Sequence, residues 1–443
     1  MRNEAQKTNR LPEALIGLGC YASFWSNVDG IGDVMQLSYL GFFLAAAFYL
    51  LLFGRFESIS PSATEIIMYS VGVLSAFVAL FGSQEFSGEY TLLFLGTLIL
   101  TSILARSVPL ERLLDIGAAT AFACVLTAIL ADGRDFHRAL TISITSHGLF
   151  RYTPLNTHPV LMGLIFGVGS ILMARKAILA TAIAHRVAMI VGSLLAFIFM
   201  VAASARGALL SLFIAAITAV VLDVRFGKGT RWKLMGASVV AAGVLAISAG
   251  DKIAAYLDAI LQLHSHYRGL NSGMTGRDVL WARGISTFVS DPVVLFVGGG
   301  LRSSEATTID FQTENSYITI LLDSGLFVGG SLILAFFYAL INARRLSRNA
   351  DASDASKQLL FLVPLLVFVL VQSFFERQLL AVGNPASLLM LVVFVSLSLR
   401  SRRRGDLVHS QAPIPVFSGE SDDGGYRGAG QMTLGKQQSS RGG

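Results

Sequence analysis

Charged residues and cysteines are both scarce in this sequence. Asp, Glu, Lys and Arg make up only 14% of the 443 residues, whereas hydrophobic residues make up 53%. The mean hydropathy of +0.64 excludes an ordinary soluble domain and indicates a polytopic membrane protein. The two cysteines, Cys20 and Cys124, both lie in apolar surroundings, and two such thiols support neither a disulfide framework nor a metal cluster.

Other missing patterns exclude further classes of protein. The basic start "MRNEAQKTNR" has no clear signal-peptide cleavage pattern, so we expect the first apolar segment to remain as a span. No internal repeat is evident, which weighs against inverted-repeat transporter folds. Gly298 to Gly300 follow no strand and helix unit and therefore form no nucleotide fingerprint. His264 and His266 in "LHSHY" have no supporting ligand cluster, so no metal site and no cofactor are predicted.

Hydropathy predicts an all-α membrane protein with about twelve transmembrane helices. A large periplasmic loop, residues 250–314, separates the ninth helix from the tenth. The predicted organisation is a cytoplasmic N-terminus 1–10, helices one to nine in 11–249, that loop, helices ten to twelve in 315–399, and a disordered cytoplasmic tail 400–443. The predicted spans are 11–28, 34–54, 65–82, 90–105, 113–131, 156–173, 187–204, 207–222, 234–249, 315–341, 359–375 and 384–399.

Lys and Arg in the short loops predict the orientation. With the N-terminus in the cytoplasm, the loops that carry Arg106, Arg112, Arg175 and Lys176 are cytoplasmic too, and so is "RSRRR" after the last span. The opposite short loops "NVDGIGD" and "SQEFSGE" contain no Lys or Arg. Both termini are therefore expected in the cytoplasm, with a second long outer segment at about 132–155.

Several arginines fall on the outer side against this rule, and they need another explanation. The guanidinium group is a planar fork of donors that matches phosphate and carboxylate and stays charged in a dry environment. An anionic lipid-linked substrate would supply the partner, although snorkelling to headgroups or ion pairs with Asp or Glu are equally simple explanations. These residues are Arg151, Arg206, Arg277, Arg283, Arg302 and Arg377.

Arg206 lies in the stretch "VAASARGALLSL", inside an apolar run that is too long for one span. A charge at the bilayer centre costs a few kcal/mol or more. The run is therefore predicted to form a helical hairpin that turns at Ser204 to Gly207, with Arg206 at or just below the membrane surface.

Several blocks resemble the superfamily of O-antigen ligases and Wzy-type polysaccharide polymerases. "SARGALLSL" looks like its Arg-Gly hairpin, and "TGRDVLWARGISTFVSDPVVLFVGGG" resembles its outer-loop block. "TENSYITILLDSGLFVGG" resembles the start of its next span, with "RYTPLNTHPVLMG" and "FFERQLLAVGNPA" as two weaker signatures. The blocks follow the family order over residues 151–386. The chain departs from the family at Glu314, where a histidine is usual.

The resemblance implies an inner-membrane glycosyltransferase that moves an oligosaccharide from an undecaprenyl-diphosphate donor at the periplasmic face. Arg206 and Arg277 are then the candidates for stabilising the diphosphate leaving group, and Glu314 is the candidate base for the acceptor hydroxyl, with Glu376 second. Glu314 could instead orient Arg277 or Arg206, and Glu376 could pair with Arg377. Further candidate substrate contacts are Arg151, Trp281, Asn315 and Arg377.

Within this class we favour a polymerase of exopolysaccharide or O-antigen repeat units, with a ligase to lipid A-core as the alternative. A lipid-linked oligosaccharide flippase is the alternative from another class, and a structural subunit of an export complex is a third. The predicted partners are the lipid-linked oligosaccharide, membrane lipid and other polysaccharide assembly proteins, without nucleic acid, in the bacterial inner membrane.

Overall fold

The computed structural model describes residues 10–26, 28, 30–54, 60–81, 85–145, 152–203, 205–225, 276–303, 313–349 and 361–410. Every long regular element in these ranges is helical, apart from a short 3-10 turn at Pro154–Asn156 and a π turn at Gly325–Gly329. The helices are α1 Leu11–Trp25, α2 Gly32–Phe53, α3 Ala63–Phe81, α4 Glu85–Ser107, α5 Leu110–Thr145, α6 Pro159–Leu179, α7 Ile183–Ala202, α8 Arg206–Arg225, α9 Arg277–Ser290, α10 Pro292–Phe296, α11 Ser316–Ser324, α12 Gly330–Asn349, α13 Leu362–Phe375 and α14 Pro385–Ser410.

The helices are those of a multi-pass membrane protein. Seven stretches of the described chain are long and apolar enough to cross a bilayer: Gly32–Phe53, Ala63–Phe81, Gly88–Ser107, Leu110–Arg138, Pro159–Leu179, Ile183–Ala202 and Ser316–Ser347. Shorter apolar helices occupy Arg206–Ala219, Leu362–Phe375 and Pro385–Ser401. The predicted all-helical membrane class is thus confirmed for the described residues. The number of twelve spans stays a prediction, and the predicted span 234–249 lies outside the described residues.

Basic side chains at one end of the helices are held by acidic partners. Arg175 donates to Asp115 at 2.7 Å and Arg112 to Glu13 at 2.7 Å. Arg400 donates to both carboxylate oxygens of Glu111, at 2.9 and 3.0 Å. Lys176 also pairs with Asp115, and Arg106 pairs with Glu65. This end, which we call the basic end, carries the loops that the Lys and Arg distribution predicts to be cytoplasmic.

The opposite ends of the helices carry the loops that are predicted to be outer, and we call this the site end. Ser23, near the end of α1, donates its hydroxyl to the carbonyl of Gly383, just before α14. The backbone N–H of Tyr152 donates to the carbonyl of Ala202 at 3.0 Å. Contacts between distant segments therefore join the loops of this end into one surface.

Helix α6 is the most buried of the seven stretches that are long enough to cross a bilayer, with 72% of its apolar part buried. Its glycines allow close approach of neighbouring helices, since a Cβ at Gly167 would stand 2.1 Å from Phe368 of α13 and one at Gly163 would stand 2.7 Å from Ala205. These contacts bring α13 and the start of α8 against the same central helix. The ends of α8 and α13 are thereby positioned together at the site end.

Two helices extend beyond their predicted limits. Helix α5 continues to Thr145 past a break at Asp132, whose φ of −141° is not helical; Asp132 accepts the N–H of Leu155 at 2.7 Å. Part of the outer segment 132–155 is therefore helical. Helix α14 likewise runs to Ser410, into the predicted tail 400–443. The chain forms two compact units, Met1–Arg402 and Arg403–Gly443, and the described part of the second is the end of α14.

Candidate functional site

The centre of the site end is an arginine held between two glutamates. Arg277, the first residue of α9, donates from Nε to Oε2 of Glu314 at 2.6 Å and from Nη2 to Oε1 of Glu376 at 2.7 Å. The three residues come from separate parts of the sequence, and all three are predicted site residues. We call them the Arg277 cluster. Its ion pairs join α9 to the residue before the cap of α11 and to the end of α13.

Exposure distinguishes the two carboxylates. The side chain of Glu314 is 42% exposed, that of Arg277 is 20% exposed and that of Glu376 is 13% exposed. A guanidinium group has five N–H donors, and the described residues engage two of those of Arg277. The cluster can therefore offer N–H donors to an anion and an accessible carboxylate to a hydroxyl group.

The backbone next to the cluster is strained and tightly capped. Glu314 has a φ of +47°, a left-handed conformation that costs a non-glycine residue about 1–2 kcal/mol. The next residue, Asn315, accepts the N–H groups of Tyr317 and Ile318 at 2.9 and 3.1 Å, and so caps α11. Its Nδ2 donates to the carbonyl of Phe374 at 3.1 Å. Asn315 is 4% exposed, so its side chain fixes the position of Glu314.

Ser316 ties the loop after α13 to the start of α11. Its Oγ donates to the carbonyl of Glu376 at 2.7 Å and accepts the N–H groups of Gln378 and Leu379 at 2.8 and 3.2 Å. One hydroxyl thus makes three hydrogen bonds to this loop. This hydroxyl therefore holds the loop residues of the predicted signature "FFERQLLAVGNPA" in place.

Two further arginines line a pocket on the same end of the molecule. Arg302 stacks over the ring of Tyr90, with its guanidinium carbon 3.8 Å from the ring centroid. Arg377 is partly buried beside it; burial, and then the nearby charge of Arg302, lower the pKa of Arg377 to about 10, so it remains a cation at neutral pH. The pocket is open to the outside, and its space, including the open mouth, is about 500 Å³. We call it the arginine pocket; its polar lining is Tyr90, Arg302, Ser316, Thr319, Asp323 and Arg377.

The glycines that the sequence places in a tight loop contact the backbone of Asp323, a residue that lines this pocket. Gly298 and Gly300 both have a φ of +87°. A Cβ at Gly298 would stand 2.5 Å from the carbonyl of Asp323 and from the N–H nitrogen of Ser324. Gly300 donates its N–H to the carbonyl of Asp323 at 3.0 Å. Only glycine permits this approach, which closes the loop onto the end of α11.

Arg206 lies at the site end, at the first position of α8. A Cβ at the next residue, Gly207, would stand 3.0 Å from the Cβ of Phe375, which immediately precedes Glu376. The end of α7 at Ala202 and the start of α8 agree with the predicted hairpin. Arg206 therefore lies within a few residues of the contact between α8 and the segment that carries Glu376.

The other predicted contacts have mixed outcomes. Trp281 lies one turn after Arg277, on the face of α9 where a Cβ at Gly284 would stand 2.9 Å from Ile318 of α11. Its indole Nε1 is buried, and no described residue accepts its hydrogen. Trp281 thus shares the face of α9 on which Gly284 packs against α11. Arg151, His264 and His266 lie outside the described residues.

Sequence reasoning gave no role to Tyr90, Asp323 or Ser316, and it noted Arg302 only as an outer arginine. Asp323 is 4% exposed; its carboxylate accepts the N–H of Arg302 at 3.2 Å and the hydroxyl of Ser303 at 3.3 Å. A lone acid in the apolar run "TILLDSGLF" was a signal for such a site, because an isolated carboxylate inside an apolar segment is costly without a partner.

Comparison of the chain with models of known protein families and with curated proteins found no match. The resemblance to the ligase and polymerase superfamily therefore stays a prediction from short motifs.

Proposed function

We propose that the protein is a glycosyltransferase that polymerises undecaprenyl-diphosphate-linked oligosaccharide repeat units at the outer face of the bacterial inner membrane. The observation that supports this most strongly is the Arg277 cluster. It combines a phosphate-binding type of side chain with two carboxylates at one end of a membrane helix bundle. A transfer from a lipid diphosphate to a hydroxyl needs these two kinds of group within one site.

In this reaction the acceptor hydroxyl attacks the anomeric carbon of the donor sugar. The new carbon–oxygen bond forms as the bond from that carbon to the diphosphate breaks, and the electron pair leaves with the undecaprenyl diphosphate. The hydroxyl proton goes to a carboxylate. We assign Glu314 as this base rather than Glu376, because 42% of its side chain is exposed against 13%.

The negative charge that grows on the leaving diphosphate needs fixed cations. Arg277 supplies N–H donors beyond those that hold the two glutamates, and Arg206 at the start of α8 supplies a second guanidinium group. The start of α8 also carries the positive end of the helix dipole, which favours a nearby anion. Trp281 lies one turn after Arg277 on α9, and Asn315 follows Glu314 and caps α11. Arg377 lines the arginine pocket, and Arg151 remains a predicted contact.

A flippase is less well supported by the charge distribution. The ion pairs described above lie at the two ends of the helices and not along a path between them. A transport route predicts ionisable residues at mid-membrane depth. A ligase shares every feature of the site, so only the acceptor distinguishes it from a polymerase.

The test is glycosyl transfer by purified protein in proteoliposomes with the host's undecaprenyl-diphosphate repeat unit, with and without lipid A-core, and with products resolved on a gel. Wild type is compared with Arg206→Lys and Glu314→Gln; Arg112→Lys, at the basic end, is the matched control. We expect a ladder of repeats without lipid A-core. Turnover should fall about 10²-fold to 10³-fold in Arg206→Lys and about 10²-fold to 10⁴-fold in Glu314→Gln.

The other results have defined meanings. A product that forms only with lipid A-core makes the protein a ligase. If wild type shows no transfer under either condition while a host extract is active, the enzyme proposal is wrong and transport becomes the leading candidate. Equal losses of turnover in Arg206→Lys and Arg112→Lys would contradict a role of Arg206 in binding the diphosphate.

A further inference from the structure

One membrane-crossing stretch of the chain is broken near the site end, and its sequence gives the depth of the break. Helix α11 ends at Ser324, and Gly325 has φ +69° and ψ 177°, which is not helical. Arg344 and Arg345 are exposed near the far end of α12, and basic residues of this kind mark the polar boundary of a span. Gly325 precedes Arg344 by 19 residues, about 29 Å at 1.5 Å per residue. Because the hydrocarbon core is about 30 Å thick, the break lies near its boundary on the outer side.

The segment that follows α10 packs against this break. The N–H groups of Gly299 and Gly300 donate to carbonyls in the last turn of α11, at 2.8 and 3.0 Å. A Cβ at Gly325 would stand 2.5 Å from the carbonyl oxygen of Phe296, so the two backbones are in direct contact. Non-helical backbone at membrane depth needs protein partners of this kind. Residues 296–300, which belong to the predicted periplasmic loop, therefore lie at the level of the break.

A stacked pair of aromatic rings joins α10 to the lipid-facing side of the span. The ring centroids of Phe296 and Phe327 are 5.9 Å apart, with 20° between the ring planes. Phe327 is 66% exposed and precedes Arg344 by 17 residues, about 26 Å along the helix. At that depth its exposed side faces hydrocarbon. Phe296 is exposed as well, so α10 continues the lipid-facing surface of the span.

Helix α9 has three sides of different character. Its inner side is buried at Gly284, where a Cβ would stand 2.9 Å from a side chain of α11. One exposed side carries Ile285 and Val289, which are four residues apart and therefore lie on one stripe. The other exposed side carries Ser286 and Ser290. Ile285 and Ser286 are about 100° apart around the helix at 3.6 residues per turn, so α9 is amphipathic on its exposed surface.

We propose that α9 and α10 lie in the outer surface of the bilayer and insert their exposed apolar side chains among the lipid chains of the outer leaflet. These side chains are Ile285, Val289, Val293 and Phe296. Bilayer lipid is the partner because this surface continues that of Phe327 in the span. The side of α9 that carries Ser286 then faces headgroups and water, as in other interfacial helices. Lipid contact does not require glycosyl transfer, so it is tested independently of the proposed function.

The test measures the surroundings of a nitroxide label by electron paramagnetic resonance. Oxygen enters hydrocarbon and a nickel chelate stays in water, so the collisions of the label with each distinguish lipid from water. The full chain, with both native cysteines replaced by alanine, carries one new cysteine at a time in phosphatidylcholine nanodiscs. Ile285→Cys and Val289→Cys report on the apolar side, and Ser286→Cys is the matched control on the polar side. Leu334→Cys, at an exposed position of α12, is the reference for lipid.

We expect the labels at positions 285 and 289 to resemble the label at position 334, with frequent oxygen collisions and rare nickel collisions. The label at position 286 should collide with nickel more often. A second measurement needs no label. Because a carboxylate in hydrocarbon is costly, Val289→Asp should lower the unfolding temperature in nanodiscs by about 2 °C or more, whereas Ser286→Asp should leave it unchanged.

Three outcomes would overturn the proposal. Equal nickel collisions at positions 285, 286 and 289 would place the whole exposed surface of α9 in water. Rare collisions with both probes at positions 285 and 289, with spectral broadening that disappears when labelled protein is diluted with unlabelled protein, would mean that a second copy of the chain covers this surface. Equal unfolding temperatures for Val289→Asp and Ser286→Asp would show that the two sides of α9 have the same surroundings.

Discussion

Replacement of Arg277 by lysine separates a phosphate role from a structural role. The guanidinium group reaches Glu314 and Glu376 from two different nitrogens, at 2.6 and 2.7 Å. An ammonium group is a single point charge, so it keeps one of these contacts and loses the other. The variant therefore retains the positive charge but not the fork.

The structure sets the size of both effects. If lysine keeps the contact with the more buried Glu376, the lost contact is that with Glu314, whose side chain is 42% exposed. An ion pair this exposed contributes about 1 kcal/mol or less to stability. A donor to the leaving diphosphate contributes much more, about 2.7–4 kcal/mol of transition-state stabilisation, or about 10²-fold to 10³-fold in turnover.

The assay pairs two measurements on each variant: thermal unfolding in detergent, and the initial rate of repeat-unit transfer in proteoliposomes. Arg283→Lys is the control, because Arg283 is an exposed residue on the same helix. We expect Arg277→Lys to lose turnover about 10²-fold or more with a small change in unfolding, and Arg283→Lys to retain both. Turnover within about threefold of wild type in Arg277→Lys would refute the phosphate role of Arg277.

Two further predictions concern the framework of the site. Asn315→Ala removes the cap of α11 and the hydrogen bond to the carbonyl of Phe374, and thermal unfolding should show a loss of about 1–3 kcal/mol in stability. Asn315→Asp keeps the capping acceptor, so its stability should fall less. Equal losses of stability in both variants would contradict the capping role. Gly298→Ala should destabilise the protein by about 1–3 kcal/mol or more, because the new Cβ would stand 2.5 Å from the backbone of Asp323 and Ser324. Gly330→Ala is the control and should be tolerated, because a Cβ there meets open space. Equal unfolding temperatures for the two variants would contradict the close approach at Gly298.

The positions of the helices were predictable because a membrane helix must be apolar along its whole length. Predicted spans 65–82 and 187–204, for example, correspond to α3 Ala63–Phe81 and α7 Ile183–Ala202. The ends were less predictable where polar residues continue a helix. Helix α5 continues through "DGRDFHR", which contains no proline, and it breaks at Asp132. The carboxylate of Asp132 accepts the distant N–H of Leu155. Hydropathy carries no information on such a bond.

The candidate site was predictable as a set of residues and not as a set of contacts. Arg277, Glu314 and Glu376 were all identified from their residue types and motifs. Their pairing depends on how α9, α11 and α13 pack against each other. The bonded partners are 37 and 99 residues apart in the sequence, so no local pattern predicts that they meet. The stacking of Arg302 on Tyr90 was missed for the same reason.

The local backbone explains how adjacent residues of the "FFERQ" signature contribute to two different sites. Glu376 has an extended conformation, with φ −151° and ψ 149°, and successive side chains of extended backbone point to opposite sides. Glu376 accordingly pairs with Arg277, whereas Arg377 lines the arginine pocket. Ser316 holds the carbonyl between them at 2.7 Å. These two adjacent residues therefore face two separate spaces on opposite sides of one fixed peptide.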